Sequence, residues 1–328
     1  MKNILQNMPK GWLEITTHRL DIYNEALAKT EFLEDFEKLF NNNIYNTEAL
    51  NELPTAYDYI RLGHPLSCVL EWGIAKINHL KTENIISFQS NTVPILAVLR
   101  KNLLENKKTQ IAYSNELPKS FDAEIIKNVY GYKFELTKVE NVNEIAKFDG
   151  STIFISNQED FKSINFNPNI DFYISNYAHL GSILLVNGLE NENYISEIQH
   201  VRRRETVAMT PSNCLEALNI LVENSSFKAN VKNADENKKS VLTSIKKITN
   251  TNLKPLVASS GLSIQYAIMM GLIHDALENH KGKAIKFIVP PNCYGGTNDQ
   301  ARRVAACLNN VEIVDLPVDG ENDMVQST

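Results

Sequence analysis

Pro255-Leu256-Val257-Ala258-Ser259-Ser260-Gly261 opens the stretch whose reading decides the fold. The apolar run Leu262 to Leu277 follows, then Ala284-Ile285-Lys286-Phe287-Ile288-Val289, then Pro290-Pro291-Asn292-Cys293-Tyr294-Gly295-Gly296-Thr297. The pattern reads as strand, small-residue turn, helix, strand, aromatic-glycine loop, helix. In open α/β sheets, ligands bind beyond the carboxyl ends of the strands, which is where both loops fall. Ser260 and Gly261 lead directly into a helix, whose first amides have no internal partner and sit at the positive end of its dipole. Such a start is suited to phosphate. Tyr294 offers a flat ring at the mouth of the next strand. Gly295 and Gly296 permit a turn that Cβ atoms would obstruct, and Thr297 is placed to cap the helix that follows. A phosphate nest beside an aromatic plate suits a phosphorylated aromatic cofactor. The plainer alternative is a strand–helix turn and a wall tyrosine with no ligand.

The composition bounds the rest. The chain has 328 residues, a formal net charge of -6 and 43% hydrophobic residues, which is ordinary for a soluble globular protein with room for two domains. The mildly acidic balance gives no support to nucleic-acid binding. No stretch approaches the ~20 apolar residues needed to span a bilayer, and the start, Met1 to Pro9, is too short and polar for a signal peptide. Cys68, Cys214, Cys293 and Cys307 lie far apart without metal spacing. They read as reduced thiols of a cytoplasmic protein, with Cys293 beside Tyr294 either a reactive thiol or a filler residue.

Working outward, residues 1–45 read as a helix-rich lead-in. Tyr57-Asp58-Tyr59-Ile60-Arg61-Leu62-Gly63-His64-Pro65 precedes a helix from about Leu66 to His79. Arg61 carries a planar fork suited to phosphate, and Tyr59 points the same way if this piece is extended. The competing reading of Arg61 is a surface salt bridge. Strands Ile85–Phe88, Gln110–Tyr113, Phe134–Leu136 and Thr152–Ile155 alternate with helices, and strands Ile170–Ile174 and Ile183–Val186 follow. The alternation argues a three-layer α/β/α fold with a mainly parallel sheet. Arg202-Arg203-Arg204 reads as a basic triplet solvating a helix end. The polar run Asn224 to Asn237 marks a domain junction, so residues 1–225 and 226–328 are read as two domains.

The second domain repeats the first. Ile85–Phe88 falls on Pro255–Ala258, Ser90-Asn91-Thr92 on Ser260-Gly261-Leu262, and Gln110–Tyr113 on Ile285–Ile288. Phe134-Glu135-Leu136 falls on Val311-Glu312-Ile313. The first copy has Asn91 in place of Gly261 and no Tyr-Gly-Gly-Thr after its second strand. General likeness among α/β units is the alternative to duplication.

At Ser260-Gly261-Leu262-Ser263 and Tyr294-Gly295-Gly296-Thr297 the chain resembles the pyridoxal-phosphate enzymes of cysteine and methionine metabolism, the cystathionine γ-synthase and cystathionine lyase group. The resemblance implies a fold type I transferase-like domain. It implies that the amides of Ser260, Gly261 and Leu262 hold the cofactor phosphate and that Tyr294 stacks on the pyridine ring. Tyr59-Ile60-Arg61, followed by His64-Pro65 where the family has Asn-Pro, resembles the segment that reaches the phosphate of a neighbouring subunit, which implies a homo-oligomer. The family also needs a Schiff-base lysine and an aspartate at the pyridine nitrogen. Asp171-Phe172-Tyr173-Ile174-Ser175-Asn176-Tyr177-Ala178-His179-Leu180-Gly181 stands where the lysine is expected and has none; His179 takes its place. The strand that would carry the aspartate is missing between Thr152–Ile155 and Asp171. The first domain is therefore expected to be degenerate, and the second to be the start of a better preserved copy in a longer protein. The implied activity is β- or γ-elimination or replacement on a sulfur-containing or O-acylated amino acid, with this chain inactive alone. The alternative is a scaffold or dimerisation module derived from the same fold. A nucleotide-binding α/β domain is disfavoured, because no glycine-rich phosphate motif of that kind occurs.

Overall fold

Six consecutive buried residues, Ser151 to Ser156, form a strand covered on both faces, as expected at the centre of a parallel sheet. The structure, a computed structural model, describes residues 1–14, 25–56, 60–161, 163–226 and 234–316. The chain divides into two compact units, residues 1–226 with 306–308, and residues 227–305 with 309–328.

The first unit contains helices α1 (Lys2–Asn7), α2 (Glu25–Asn41), α3 (Thr47–Asn51) and α4 (Pro65–Asn78). Strand β1 (Ile85–Phe88), helix α5 (Val93–Leu104), strand β2 (Thr109–Tyr113), helix α6 (Ala123–Asn128) and strand β3 (Glu135–Lys138) follow. Then come β4 (Ser151–Asn157), β5 (Phe172–Tyr177), β6 (Gly181–Val186), α7 (Ile195–Glu205) and α8 (Pro211–Glu223). The strand order is β1-β6-β5-β4-β2-β3. The ladders β3/β2, β2/β4 and β4/β5 are parallel; β5/β6 and β6/β1 are antiparallel. Alternate residues face two helical layers. Ile153, Ile155, Phe172, Ile174, Leu184 and Val186 pack with residues of α5 and α7, while Ile183 and Leu185 on the opposite face approach Ile74 and Ile77 of α4. The three-layer α/β/α architecture with a mainly parallel sheet is thus the observed fold of this unit. β4 and β5 are direct neighbours, with neither helix nor strand among the described residues between them. This accords with the strand missing from the sequence pattern.

The second unit contains α9 (Ala234–Thr249), α10 (Gly261–Asn279), β7 (Ile285–Val289), α11 (Gly295–Ala305) and β8 (Val311–Asp315). β7 and β8 pair in parallel, with Ile285 opposite Val311. β2 and β3 pair in the same sense in the first unit, with Gln110 opposite Glu135. α10 buries Leu262, Tyr266, Met269, Met270 and Ile273 along one stripe, the spacing of a helix face.

One expected strand is absent. Pro255–Ala258 forms no strand, and Leu256 is 69% exposed. The reason lies in the topology. Its counterpart β1 is held by β6, the last strand of its sheet, and not by β2. Among the described residues the second unit's sheet consists of β7 and β8, so Pro255–Ala258 has no ladder to join, and its amides and carbonyls are left to water.

Candidate functional site

The two loops singled out in the sequence converge inside the second unit. Ser260 is the N-cap of α10: its backbone is extended and its hydroxyl accepts from the Ser263 amide at 3.1 Å. The hydroxyl also lies 2.8 Å from that of Ser263, and Ser259 Oγ lies 3.0 Å from the same oxygen. The Ile264 amide donates to the Ser260 carbonyl. These bonds occupy the third and fourth amides and leave those of Gly261 and Leu262 as the ones an incoming anion meets first. A Cβ built on Gly261 touches nothing within 4 Å, so the approach to the turn is open.

Across from it, Tyr294 precedes α11 and its carbonyl accepts from the Thr297 amide at 2.8 Å. Tyr294 is 60% exposed, and its ring lies beside Gly296. A Cβ at Gly296 would lie 2.6 Å from Tyr294 Cε1 and 2.9 Å from Leu262 Cδ1. Gly296 is therefore the point where the ring and the first turn of α10 meet, and a side chain there would have to displace the ends of both. The same test at Gly295 finds open space, so of the two glycines only Gly296 has the steric role expected of both. Thr297 is not a cap. It lies inside α11 and donates its hydroxyl to Gln265 Oε1 at 2.8 Å. Gln300 Nε2 donates to the Leu262 carbonyl at 3.0 Å. These two bonds tie α11 to α10. Cys293, half-buried, sets its Sγ 3.6 Å from the Tyr294 carbonyl.

The first unit holds the other sequence candidates. Tyr59 lies outside the described residues. Arg61 is buried, which corrects the reading of a surface salt bridge. His64, standing where the family has Asn, is the N-cap of α4. Its Nδ1 accepts from the Ser67 amide at 3.2 Å and its Nε2 donates to the Met209 carbonyl at 2.7 Å. The Ser67 hydroxyl accepts from the His64 amide in return, a reciprocal cap. Burial, partly offset by the Met209 bond, holds the His64 pKa down to about 4.

Arg202 corrects a second reading. It is 1% exposed and does not solvate a helix end. Its guanidinium donates to Glu71 Oε1 at 3.1 Å, to the Ser87 carbonyl at 2.9 Å and to the Leu62 carbonyl. Lys29 donates to the other oxygen of Glu71 at 2.6 Å, and Ser87 donates to Oε1 through both amide and hydroxyl. Burial pushes the Glu71 carboxyl up, but Lys29 and Arg202 outweigh it and hold the pKa below the usual carboxylate value. This network joins α2, α4, β1 and α7. Sequence reasoning missed it because its members are scattered over the chain; the one signal was Glu71 in the apolar run Cys68 to Ala75.

His179 lies in the tight turn between β5 and β6, with Tyr177 opposite Gly181. Its Nε2 is 3.0 Å from Glu216 Oε1. The turn that would carry a Schiff-base lysine is thus a closed hairpin holding a histidine–carboxylate pair. The second unit sets an open helix start at Gly261 and the exposed side chain of Tyr294 in the positions that the resemblance expects for a phosphate and a ring. No residue of the matched segments fits the imine-forming lysine. Among the described residues no helix is long and apolar enough to cross a membrane, and no metal-binding cluster occurs.

No family model matches the chain, and no curated protein matches it. Among solved structures it is similar to metB from Corynebacterium glutamicum, at 16% identity and a TM-score of 0.35, over 53% of this chain and 55% of that one. It is also similar to metY from Campylobacter jejuni, a structure containing N'-pyridoxyl-lysine-5'-monophosphate, at 15% identity and a TM-score of 0.34, over 64% of this chain and 65% of that one. The L-threonine-O-3-phosphate decarboxylase from Porphyromonas gingivalis matches at 12% identity and a TM-score of 0.31, over 59% and 74% of the two chains. The chain thus spans about half the length of metB. At these scores the likeness carries no argument about chemistry; the fold class rests on the sheet described above.

Proposed function

We propose that the second unit carries the phosphate-and-ring half of a pyridoxal-phosphate site of the kind used in sulfur amino-acid metabolism. The observation that supports this is the meeting of Leu262 and Tyr294 on Gly296, which sets an aromatic plate beside an open helix start. In this reading the Gly261 and Leu262 amides bind the phosphate, the Ser260 hydroxyl holds the turn in shape, and Tyr294 covers the ring. When bound, the cofactor supplies an electron sink for a carbanion at the α-carbon of an amino acid. The matched segments provide no lysine to anchor it, so this chain alone binds without turnover. Elimination or replacement on a sulfur-containing or O-acylated amino acid belongs to a protein that supplies the lysine. Arg61 and Tyr59 are proposed to serve a neighbouring subunit's phosphate in a homo-oligomer, which requires assembly to uncover the Arg61 buried in this chain.

The test uses pyridoxamine 5'-phosphate, which cannot form imines with surface lysines. Equilibrium dialysis should show it binding more tightly than pyridoxamine, with Tyr294→Ala weakening it about tenfold, in line with ~1.4 kcal/mol for a stacked ring. Equal binding of pyridoxamine, or no effect of Tyr294→Ala, would sink the proposal. A second reading, a scaffold derived from the same fold, is favoured by the closed β5–β6 hairpin with His179 bound to Glu216. Complete absence of pyridoxamine 5'-phosphate binding would leave that reading standing.

A further inference from the structure

The connection from β4 to β5 joins two parallel neighbours, a step that usually takes a helix. Here irregular chain lies over the sheet instead. Phe161 stacks on Tyr177 at 4.2 Å between ring centroids, Phe166 packs edge-on against Tyr173, and the Ile164 amide donates to Asn78 Oδ1. Between this chain and the sheet lies a cavity of about 340 Å³. That is at the lower end of the roughly 300–1,000 Å³ of small-molecule pockets.

Its position follows from the strand order. β2 is flanked by β3 on one side and β4 on the other, so the chain leaves β2 in one direction and returns on the other. That reversal is the topological switch point, where open α/β sheets take their ligands. Ser114 and Asn115 directly after β2, and Gln158 directly after β4, line the cavity. Phe154, Ser156, Tyr173 and Ser175 form its floor; the register pairs Phe154 with Tyr173 and Ser156 with Ser175, so all four project to one side.

The floor is fixed. Ser156 and Ser175 are each 5% exposed, Gln158 Nε2 donates to Ser156 Oγ at 2.8 Å, and the Tyr173 hydroxyl donates to the Asn167 carbonyl.

The lining chemistry narrows the ligand. Among the described lining residues the charged groups are two carboxylates, Glu140 and Asp160, with no lysine, arginine or histidine. A phosphate or carboxylate ligand would meet the like charge of Glu140 and Asp160 and, among the described residues, no cation. A hydrocarbon would take the hydroxyls and side-chain amides of the lining out of water, at a cost for those whose donors and acceptors are not all used within the wall. Amides and hydroxyls donate and accept at once, which matches a ligand that does the same, while Val142, Phe154 and Ile164 offer apolar wall for C–H groups.

We propose that this cavity binds an uncharged polyhydroxylated molecule of monosaccharide size. The site is distinct from the one proposed for the second unit and does not depend on it.

Saturation-transfer NMR on the full chain tests it, with D-glucose, D-galactose, D-mannose and D-ribose at millimolar concentration and glucose 6-phosphate in parallel. At least one neutral sugar should receive saturation and glucose 6-phosphate should not. Ser156→Phe, which fills the floor, should reduce the signal about fivefold or more, as for loss of a hydrogen bond. Where circular dichroism shows that Ser156→Phe does not fold, Asn115→Ala/Gln158→Ala at the rim should produce the same loss. The proposal is overturned by no transfer to any neutral sugar, by transfer to glucose 6-phosphate of equal strength, or by signal that survives the variant used.

Discussion

His64 holds two elements with one imidazole. Nδ1 caps α4 and Nε2–H grips the Met209 carbonyl just before α8. Only the neutral ring does both, because protonation puts a hydrogen on Nδ1 where the Ser67 amide already points. With a folded pKa of about 4 against 6.5, the unfolded chain binds the proton more readily. The stability due to this group is therefore complete above pH 6.5 and lost as pH falls from there to about 4, a change of roughly 3 kcal/mol. Urea titrations across that window should show this slope, and His64→Asn, which keeps a capping acceptor, should flatten it. Glu71 acts in a lower window. Its pKa is depressed, so its contribution is present above about pH 4.5 and lost below. Glu71→Ala strands the buried Lys29 and Arg202 and should cost about 3–5 kcal/mol in denaturant melts. The sequence showed that His64-Pro65 begins a helix but gave no hint that the ring reaches across to Met209. It misplaced Arg202 for the same reason: a burial set by residues more than a hundred positions away leaves no local trace.

Elements whose partners lie nearby were legible. Val93–Leu104 forms the helix its pattern predicts, and β2 and β4 follow from apolar runs. Pro255–Ala258 was not legible as coil, because a strand exists only with a neighbour and no apolar pattern announces the neighbour's absence. The site loops were half legible. The turn at Ser260 and the ring at Tyr294 could be read from residue type, but the reason for Gly296 needed the structure. That reason has an opposed pair of consequences. Gly295→Ala adds a methyl into open space in a helix and should stabilise by roughly 0.5–1 kcal/mol. Gly296→Ala must displace the ends of the Tyr294 and Leu262 side chains and should destabilise by about 1 kcal/mol, with a shift in tyrosine fluorescence. Thermal melts of the two variants moving the same way would show that the ring does not rest on Gly296.

The two units repeat a parallel pair joined through a helix, β2-α6-β3 and β7-α11-β8, but embed it differently. β2 has strands on both sides, whereas β7 has β8 on one side only among the described residues. A two-stranded ribbon is marginal by itself in water, so protection should be uneven and a single unfolding free energy should not describe the chain. Hydrogen exchange read by mass spectrometry should find the amides of β4 and β5 among the slowest and those of β7 and β8 faster by orders of magnitude. Among the described residues no second strand flanks β7, and this has a colloidal consequence as well. The residues of β7 read Ile285-Lys286-Phe287-Ile288-Val289, with Ile288 half exposed. A row of unspent backbone donors and acceptors with apolar side chains invites a strand from any chain that passes. The single charge in this row, Lys286, is held by Glu312 on β8 at 3.3 Å and offers little repulsion. Light scattering over a concentration series, held well below the melting temperature, should therefore show association rising with the amount of protein.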